Sequence, residues 1–307
     1  MRIRAIDNFR GLTIVLMVFF TMLLVLSNSL PWLLTHNVSG GLRPGDFVLP
    51  MFLFASGMSL VYFEKKRGKT KGYLLDIIER VGKLAILWFF LSPFSAGEFL
   101  GMDEIMLNLL LFVPTILLIR FSDKEIVLAG LVIFMLYLIL HATDSLPDLT
   151  THYLGGYGGA IFYLPVMLAG VVAGRNIHEI KKYILPSLLL SMLMLLTIPP
   201  FKLAVTPSFM ALSISLALIV FELCKKITFE QLEYLGRTPI RYWVLMFVLL
   251  GAPLVFYASS TKTSLPLEFD WPVAILIAVC EMVLLYLVSK LIDWFLVFVK
   301  KIEIVRG

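Results

Sequence analysis

Ten apolar runs, each close to the length of a membrane crossing, follow one another along the chain with only short charged or Pro/Gly-punctuated segments between them. They cover residues 12–34, 46–63, 73–94, 104–121, 125–142, 159–174, 183–200, 205–223, 240–258 and 272–298. A helix needs roughly 20 apolar residues to span the hydrocarbon core, so these runs leave a 307-residue chain little beyond short loops. Composition agrees: 60% of residues are hydrophobic and 15% charged, against about 25% charged in a soluble domain. In lipid only helices and closed barrels satisfy every backbone polar group, and these runs have helical length. The sequence predicts an all-α, polytopic membrane protein of about ten transmembrane helices, one domain over residues 1–307.

Basic residues fix the orientation. With the N-terminus cytoplasmic, the inner segments hold Arg2, Arg4 and Arg10, then Lys65, Lys66, Arg67, Lys69 and Lys71, then Arg120 and Lys124. The same side collects Arg175, Lys181, Lys182, Lys225, Lys226, Arg237, Arg241, Lys300, Lys301 and Arg306, whereas the outer loops hold only Arg43, Lys202 and Lys262. Lys and Arg are retained on the cytoplasmic side, so both termini are expected inside, in the cell membrane. The net charge of +5 is spread between apolar runs rather than clustered on a soluble module, and no nucleic-acid partner is expected. The first run follows three arginines as in a secretory signal. It is too long for that role and no small-residue cleavage site follows, so a retained helix is expected. Cys224 and Cys280 are too few for a disulfide framework or a thiolate metal cluster, and both are expected as core fillers.

Polar groups inside apolar runs carry the functional information, because each costs free energy unless paired or wetted. Asp7-Asn8-Phe9-Arg10-Gly11 opens the first run. Either Asp7 or Asn8 caps a helix while Arg10 anchors its cytoplasmic end, or these residues belong to a site. Between the first two runs lies a glycine-rich outer loop that begins with His36 and ends with Asp46. Its glycines and proline let the chain turn sharply, and an imidazole oriented by a carboxylate is a competent base near neutral pH. Read singly, His36 is equally an interfacial histidine and Asp46 the cap of the second span. Glu281 falls near mid-membrane in the last run, Asn108 lies in the fourth, and Arg237 and Arg241 precede the ninth. Lys290 and Asp293, three apart, are expected to pair with each other. The outer histidines His36, His141 and His152 follow no ligand spacing, so no metal is expected, and His178 is expected in solvent. No phosphate-binding Gly-x-x-x-x-Gly-Lys loop, Gly-x-Ser-x-Gly elbow or His-Glu-x-x-His helix is present, which argues against an ATP-driven pump or a serine or zinc hydrolase of those types.

The stretch Arg4-Ala5-Ile6-Asp7-Asn8-Phe9-Arg10-Gly11, the apolar Leu16-Met17-Val18-Phe19, the loop His36, and Asp46-Phe47-Val48-Leu49-Pro50-Met51-Phe52-Leu53-Phe54 with Gly57 resemble the start of the heparan-α-glucosaminide N-acetyltransferase catalytic-domain family. That family consists of membrane enzymes of a wider transmembrane acyltransferase group. The likeness is specific over residues 2–63 and thins afterwards. Gly158 to Ala160 with Leu168 to Gly174 is similar to a later glycine-bounded span, and Leu235 to Ile240 loosely to a segment near the family's C-terminus. Two departures stand out. The family's polar Asn in the first span falls on Thr21, with Asn28 as a displaced substitute, and a segment rich in Arg and Gln is represented only by Gly101 to Asn108.

The resemblance implies transfer of an acetyl group from cytosolic acetyl-CoA to an amine or hydroxyl of a sugar-like acceptor on the far side. His36 would be the acid/base and Asp46 its partner. The anionic CoA phosphates need cations on the inner side, where Arg10, Lys65, Lys66, Arg67 and Arg80 are the candidates, although a cytoplasmic loop would be basic without a ligand. Asp7, Asn28, Asn108 and Glu281 are further candidates for substrate contacts. A homodimer is compatible with the chain. A competing reading is a proton-coupled transporter working through Glu281, and a third is an assembly subunit without chemistry.

Overall fold

The computed structural model describes residues 3–35, 42–67, 72–95, 103–143, 159–200, 205–227, 229–261 and 267–306. The secondary structure of these residues is helical throughout. The helices are α1 (Arg4–Leu26), α2 (Val48–Arg67), α3 (Tyr73–Ser95), α4 (Glu104–Leu118), α5 (Asp123–Ala142), α6 (Leu164–Arg175), α7 (Lys181–Thr197) and α8 (Pro207–Lys226). They continue with α9 (Glu230–Arg237), α10 (Pro239–Met246), α11 (Ala252–Thr261) and α12 (Trp271–Arg306). A π-helical stretch, Phe247–Gly251, joins α10 to α11, and 3-10 turns at Pro44–Phe47 and Ala160–Tyr163 lead into α2 and α6.

Each expected apolar run is matched by a helix or a chain of helices, but not all have the expected character. Among the described residues five stretches are long and apolar enough to cross a membrane by themselves: Arg4–Leu26, Pro44–Lys66, Asp123–Ala142, Pro207–Lys226 and Trp271–Phe298. The others are shorter or, like α3 with Asp76, Glu79, Arg80 and Lys83, interrupted by charge. Much of the protein surface is apolar. Leu75, Leu117, Leu196, Phe256 and Leu287 are all more than half exposed, as suits side chains that face lipid rather than water.

The first helix starts eight residues earlier than its apolar run. Its N-cap position is Ile3, which makes no side-chain cap, so neither Asp7 nor Asn8 caps the helix. Both lie within α1 and are buried. The reason is α9, a short amphipathic helix that hydropathy did not predict, which packs along the first half of α1. A Cβ on Gly11 would collide with the Leu232 carbonyl, and one on Gly236 with the Asp7 carbonyl. Two helix backbones therefore touch at a polar segment that its composition alone would place outside the bundle.

A second close crossing sits at the centre. A Cβ on Gly57 of α2 would strike the Met167 carbonyl of α6, and one on Gly170 the Phe54 carbonyl. Around this crossing the core gathers α2, α6 and α8, with Phe9 edge-on to Phe54 and Phe221 at centroid distances of 6.1 and 5.6 Å. Another core joins α1, α10 and α12 through Met17, Leu23, Trp243, Ala274 and Ala278. The α4–α5 corner is fixed to α6 by Arg175, which donates to the Phe121 carbonyl at 2.7 Å and pairs with Asp123 at 2.8 Å. At the start of α5, Ser122 and Glu125 cap one another reciprocally.

At the basic end, Asp293 does not take Lys290 as its partner. It accepts from Arg241 at 2.6 Å and from the Tyr234 hydroxyl at 2.5 Å, while the Lys290 ammonium lies over the Tyr234 ring at 3.8 Å. Residues i and i+3 are neighbours on a helix, but α9 and α10 present better partners from outside it. Burial pushes the Tyr234 hydroxyl above the ordinary tyrosine value. It therefore stays protonated and donating across the physiological range. Cys224 is buried as expected, whereas Cys280 is exposed on α12 and fills no core.

Candidate active site

Three helical stripes meet at the basic end around a cleft of about 610 Å³. The first is Ile3, Ile6, Asp7 and Arg10 of α1 and the segment before it, the second Ser59, Tyr62, Phe63 and Lys66 of α2, and the third Asp76, Glu79, Arg80 and Lys83 of α3. Each has the spacing i, i+3, i+4, i+7, which places its residues on one face of a helix. The cleft is thus a product of three helix faces turned towards each other, and its volume is within the range of small-molecule sites.

Its charges are mixed. Arg10, Lys66, Arg80 and Lys83 supply four cations, and Asp7, Asp76 and Glu79 three carboxylates. Lys83 pairs with Glu79 one turn away. The Arg80 guanidinium lies over the Phe63 ring at 3.9 Å, and Phe63 stacks on Tyr73 at 5.8 Å. A guanidinium held by its face still directs its N–H donors outward along its edge, in the geometry of a phosphate fork.

Of the five cations proposed from the sequence for the donor, the structure brings Arg10, Lys66 and Arg80 into this cleft, with Asp7 beside them. Lys65 does not line the cleft itself, its ammonium lying 5.4 Å from the ring of the lining residue Tyr62, and the Arg67 side chain lies outside the described residues. Sequence reasoning missed Lys83, Asp76, Glu79, Phe63 and Ser59. The charged stripe within the third apolar run was the available signal for α3.

The 3-10 turn that leads into the other end of α2 holds Asp46, thirteen residues before Ser59 and so about 20 Å away at roughly 1.5 Å per residue. Asp46 is fully buried and accepts from the Arg43 backbone N–H at 2.9 Å, closing the turn before α2. His36 lies outside the described residues. The Tyr163 side chain is fully buried at the entry to α6. Its hydroxyl has no hydrogen-bond partner among the described residues. Tyr163 was not singled out from the sequence, where it reads as one more aromatic in an apolar run.

The remaining candidates scatter. Asn28 is exposed in the bend after α1, where Ser27 donates to the Phe269 carbonyl at 2.6 Å. Asn108 lines a separate small cavity with Glu104 and Trp243. Glu281 is 4% exposed in α12, and neither carboxylate oxygen has a hydrogen-bond partner among the described residues. Arg237 pairs with Glu233, and Arg241 with Asp293. His141 sits 6.1 Å from the Tyr137 ring, His178 is exposed, and His152 lies outside the described residues. Among the described residues no group of three His, Cys, Asp or Glu is placed to hold a metal ion.

The family model for the catalytic region of heparan-alpha-glucosaminide N-acetyltransferase matches residues 2–189. The chain belongs to this family. No curated protein matches it. The stretch matched by the heparan-alpha-glucosaminide N-acetyltransferase family signature contains every residue that lines the cleft, the His36–Asp46 loop and the Gly57–Gly170 crossing. Membership makes the chain an acetyltransferase of the membrane with a sugar-like substrate. The α9 helix and Glu281 lie beyond the match.

Proposed function

We propose that this protein transfers an acetyl group from cytosolic acetyl-CoA to an amine or hydroxyl of a sugar-like acceptor on the extracytoplasmic side. The observation that carries this reading is the cleft, in which Arg10, Lys66 and Arg80 converge from three helices inside the family-matched stretch. In this reading about ten helices cross the cell membrane, both termini are cytoplasmic, and the cleft opens to the cytosol. The lopsided distribution of Lys and Arg supports that orientation.

Arg80 would fork a phosphate of the donor, and Arg10 and Lys66 would neutralise the rest. Lys65 and Arg67, at the same end of α2, would add to the attractive field. The acceptor nitrogen or oxygen attacks the thioester carbonyl, the bond to sulfur breaks, and CoA leaves as the thiol. The acceptor gives up a proton, and His36 is the base for it, oriented by Asp46. The full burial of Asp46 supports this role, because a carboxylate out of water holds a cationic imidazole more strongly than one in solution. A thioester is already activated, so a positioned base and the exclusion of water supply most of what the reaction needs.

The test is labelled acetyl-CoA with candidate amino sugars, comparing the purified wild type with His36→Ala. Transfer by the wild type that disappears in the variant is expected. Equal transfer by both rejects His36 as the base.

The isolated Glu281 carboxyl favours a second reading, proton-coupled transport. It predicts pH-driven uptake into vesicles that collapses in Glu281→Gln.

A further inference from the structure

The last helix carries its own marks of depth. Trp271 and Trp294 of α12 are both exposed and are separated by about 35 Å at roughly 1.5 Å per residue, a little more than the ~30 Å of a hydrocarbon core. Tryptophan favours the two membrane interfaces, so this pair marks both edges. Lys290 lies about 28 Å along the helix from Trp271 by the same rise. That depth is where acyl chains give way to headgroup phosphates at the basic end.

The surroundings of Lys290 are divided between bundle and lipid. Ala274, Ala278, Leu285 and Ser289 of α12 are buried against the bundle. On the outward side Val283, Leu287, Leu291 and Trp294 are all exposed, at the spacing of one helix face. Lys290, itself exposed, sits at the inner end of this apolar stripe.

The Lys290 ammonium is held in place without being neutralised. It lies 3.8 Å from the centre of the Tyr234 ring and 5.6 Å from that of Tyr286, and the two rings meet edge-on at 5.6 Å. The carboxylate three residues on, Asp293, is taken by Arg241 at 2.6 Å and by the Tyr234 hydroxyl at 2.5 Å. Lys290 makes no ion pair among the described residues. Aromatic faces attract a cation but do not cancel its charge. Arg241 and Asp293 offset one another, and the charge of Lys290 is left over, on a side chain already ordered by two rings.

We propose that Lys290 holds the phosphate of an anionic phospholipid in the inner leaflet, with an acyl chain along Leu287 and Val283 and Trp294 beside the headgroup. A pre-ordered cation at phosphate depth, above an apolar stripe, matches such a lipid in both charge and polarity. Choline and ethanolamine headgroups carry a cation of their own next to the phosphate, which Lys290 repels, so the site favours a net negative headgroup. Basic sites between membrane helices on the cytoplasmic side are suited to anionic headgroups, and the distribution of Lys and Arg assigns this end of α12 to that side. None of these residues lines the cleft, and all lie beyond the family match, so the inference does not depend on the acyl-CoA reading.

The experiment places the purified full-length protein in nanodiscs of phosphatidylcholine and phosphatidylglycerol, with bromine on the acyl chains of one lipid or the other. Bromine quenches tryptophan on contact, and the Trp294 signal is the difference from the matching Trp294→Phe variant. A preference for phosphatidylglycerol of about fivefold is expected at Trp294, equivalent to roughly 1 kcal/mol for one cation at the surface. It should fall to parity in Lys290→Gln and return in Lys290→Arg. Lys182→Gln, which removes a lysine paired with Glu179 at 3.0 Å, should leave it unchanged, and soluble glycerol 3-phosphate should not compete. Because the preference is a ratio within one preparation, the yield of folded protein does not alter it. Parity in the wild type, or a preference that survives Lys290→Gln, overturns the proposal. An equal loss in Lys182→Gln shows a diffuse basic surface instead of a site, and competition by glycerol 3-phosphate shows a site for free phosphate. Either result rejects the lipid.

Discussion

The Asn8 side-chain amide donates to the Ile227 carbonyl at 3.1 Å, joining the start of the first helix to the link between α8 and α9, 219 residues away. A residue with the sequence context of a helix cap thus works as a long-range tie. Asn8→Ala removes the donor and leaves a carbonyl without it. The expected cost is about 1 kcal/mol, seen as a fall in unfolding temperature of a few degrees in detergent.

Two glycine substitutions should act in opposite directions. Gly170→Ala forces a Cβ into the Phe54 carbonyl, and neither backbone can retreat without opening the α2–α6 crossing. A loss of several kcal/mol or failure to accumulate in the membrane is expected. Gly82→Ala has open space and a helical backbone, so it should stabilise the fold by roughly 0.5–1 kcal/mol. Fluorescence-detected thermal melts of the two variants side by side check both.

Arg80 combines a stacked face with an edge of N–H donors. Arg80→Ala should raise KM for acetyl-CoA about tenfold, the order of one charge-assisted hydrogen bond, with KM for the acceptor unchanged. Arg80→Lys should recover only part of the loss, because an ammonium offers no planar fork over Phe63. Steady-state kinetics with each substrate varied in turn separates these outcomes.

The buried Tyr163 hydroxyl, without a partner among the described residues, is a cost to the folded state. Tyr163→Phe removes only that oxygen. Stability should rise by about 1 kcal/mol or stay unchanged, and a clear fall in melting temperature would show that the hydroxyl is satisfied in the folded protein.

Glu281 should behave in the same way but more strongly. Glu281→Leu replaces a carboxyl group 4% exposed and unpartnered among the described residues with a side chain suited to its apolar surroundings. An increase of at least about 1 kcal/mol in stability is expected, read as a higher melting temperature at neutral pH.

Hydropathy and punctuation located most helices, because charge and proline stop an apolar run where the chain leaves lipid. The run 73–94 became α3, Tyr73–Ser95, and the reciprocal cap of Ser122 and Glu125 was readable before α5. The start of α1 was not legible, since the polar Asp7 and Asn8 are buried by α9, a helix of only eight residues whose partner lies some 220 positions earlier. Within the candidate site, the spacing Asp76, Glu79, Arg80, Lys83 is a property of one helix and visible in the sequence. That it faces Arg10 and Lys66 is a property of the packing and is not.

The contact of Gly11 and Asp7 with Leu232 and Gly236 makes the family-matched stretch inseparable from the C-terminal third of the chain. Residues 2–189 include the cleft, yet the backbone beneath Asp7 and Arg10 rests on a helix contributed more than forty residues after the match ends. A fragment cut at that border would carry the signature and lose its floor. Lesions in residues 230–237 should therefore behave like lesions in residues 7–11, and the two segments should tolerate change only together.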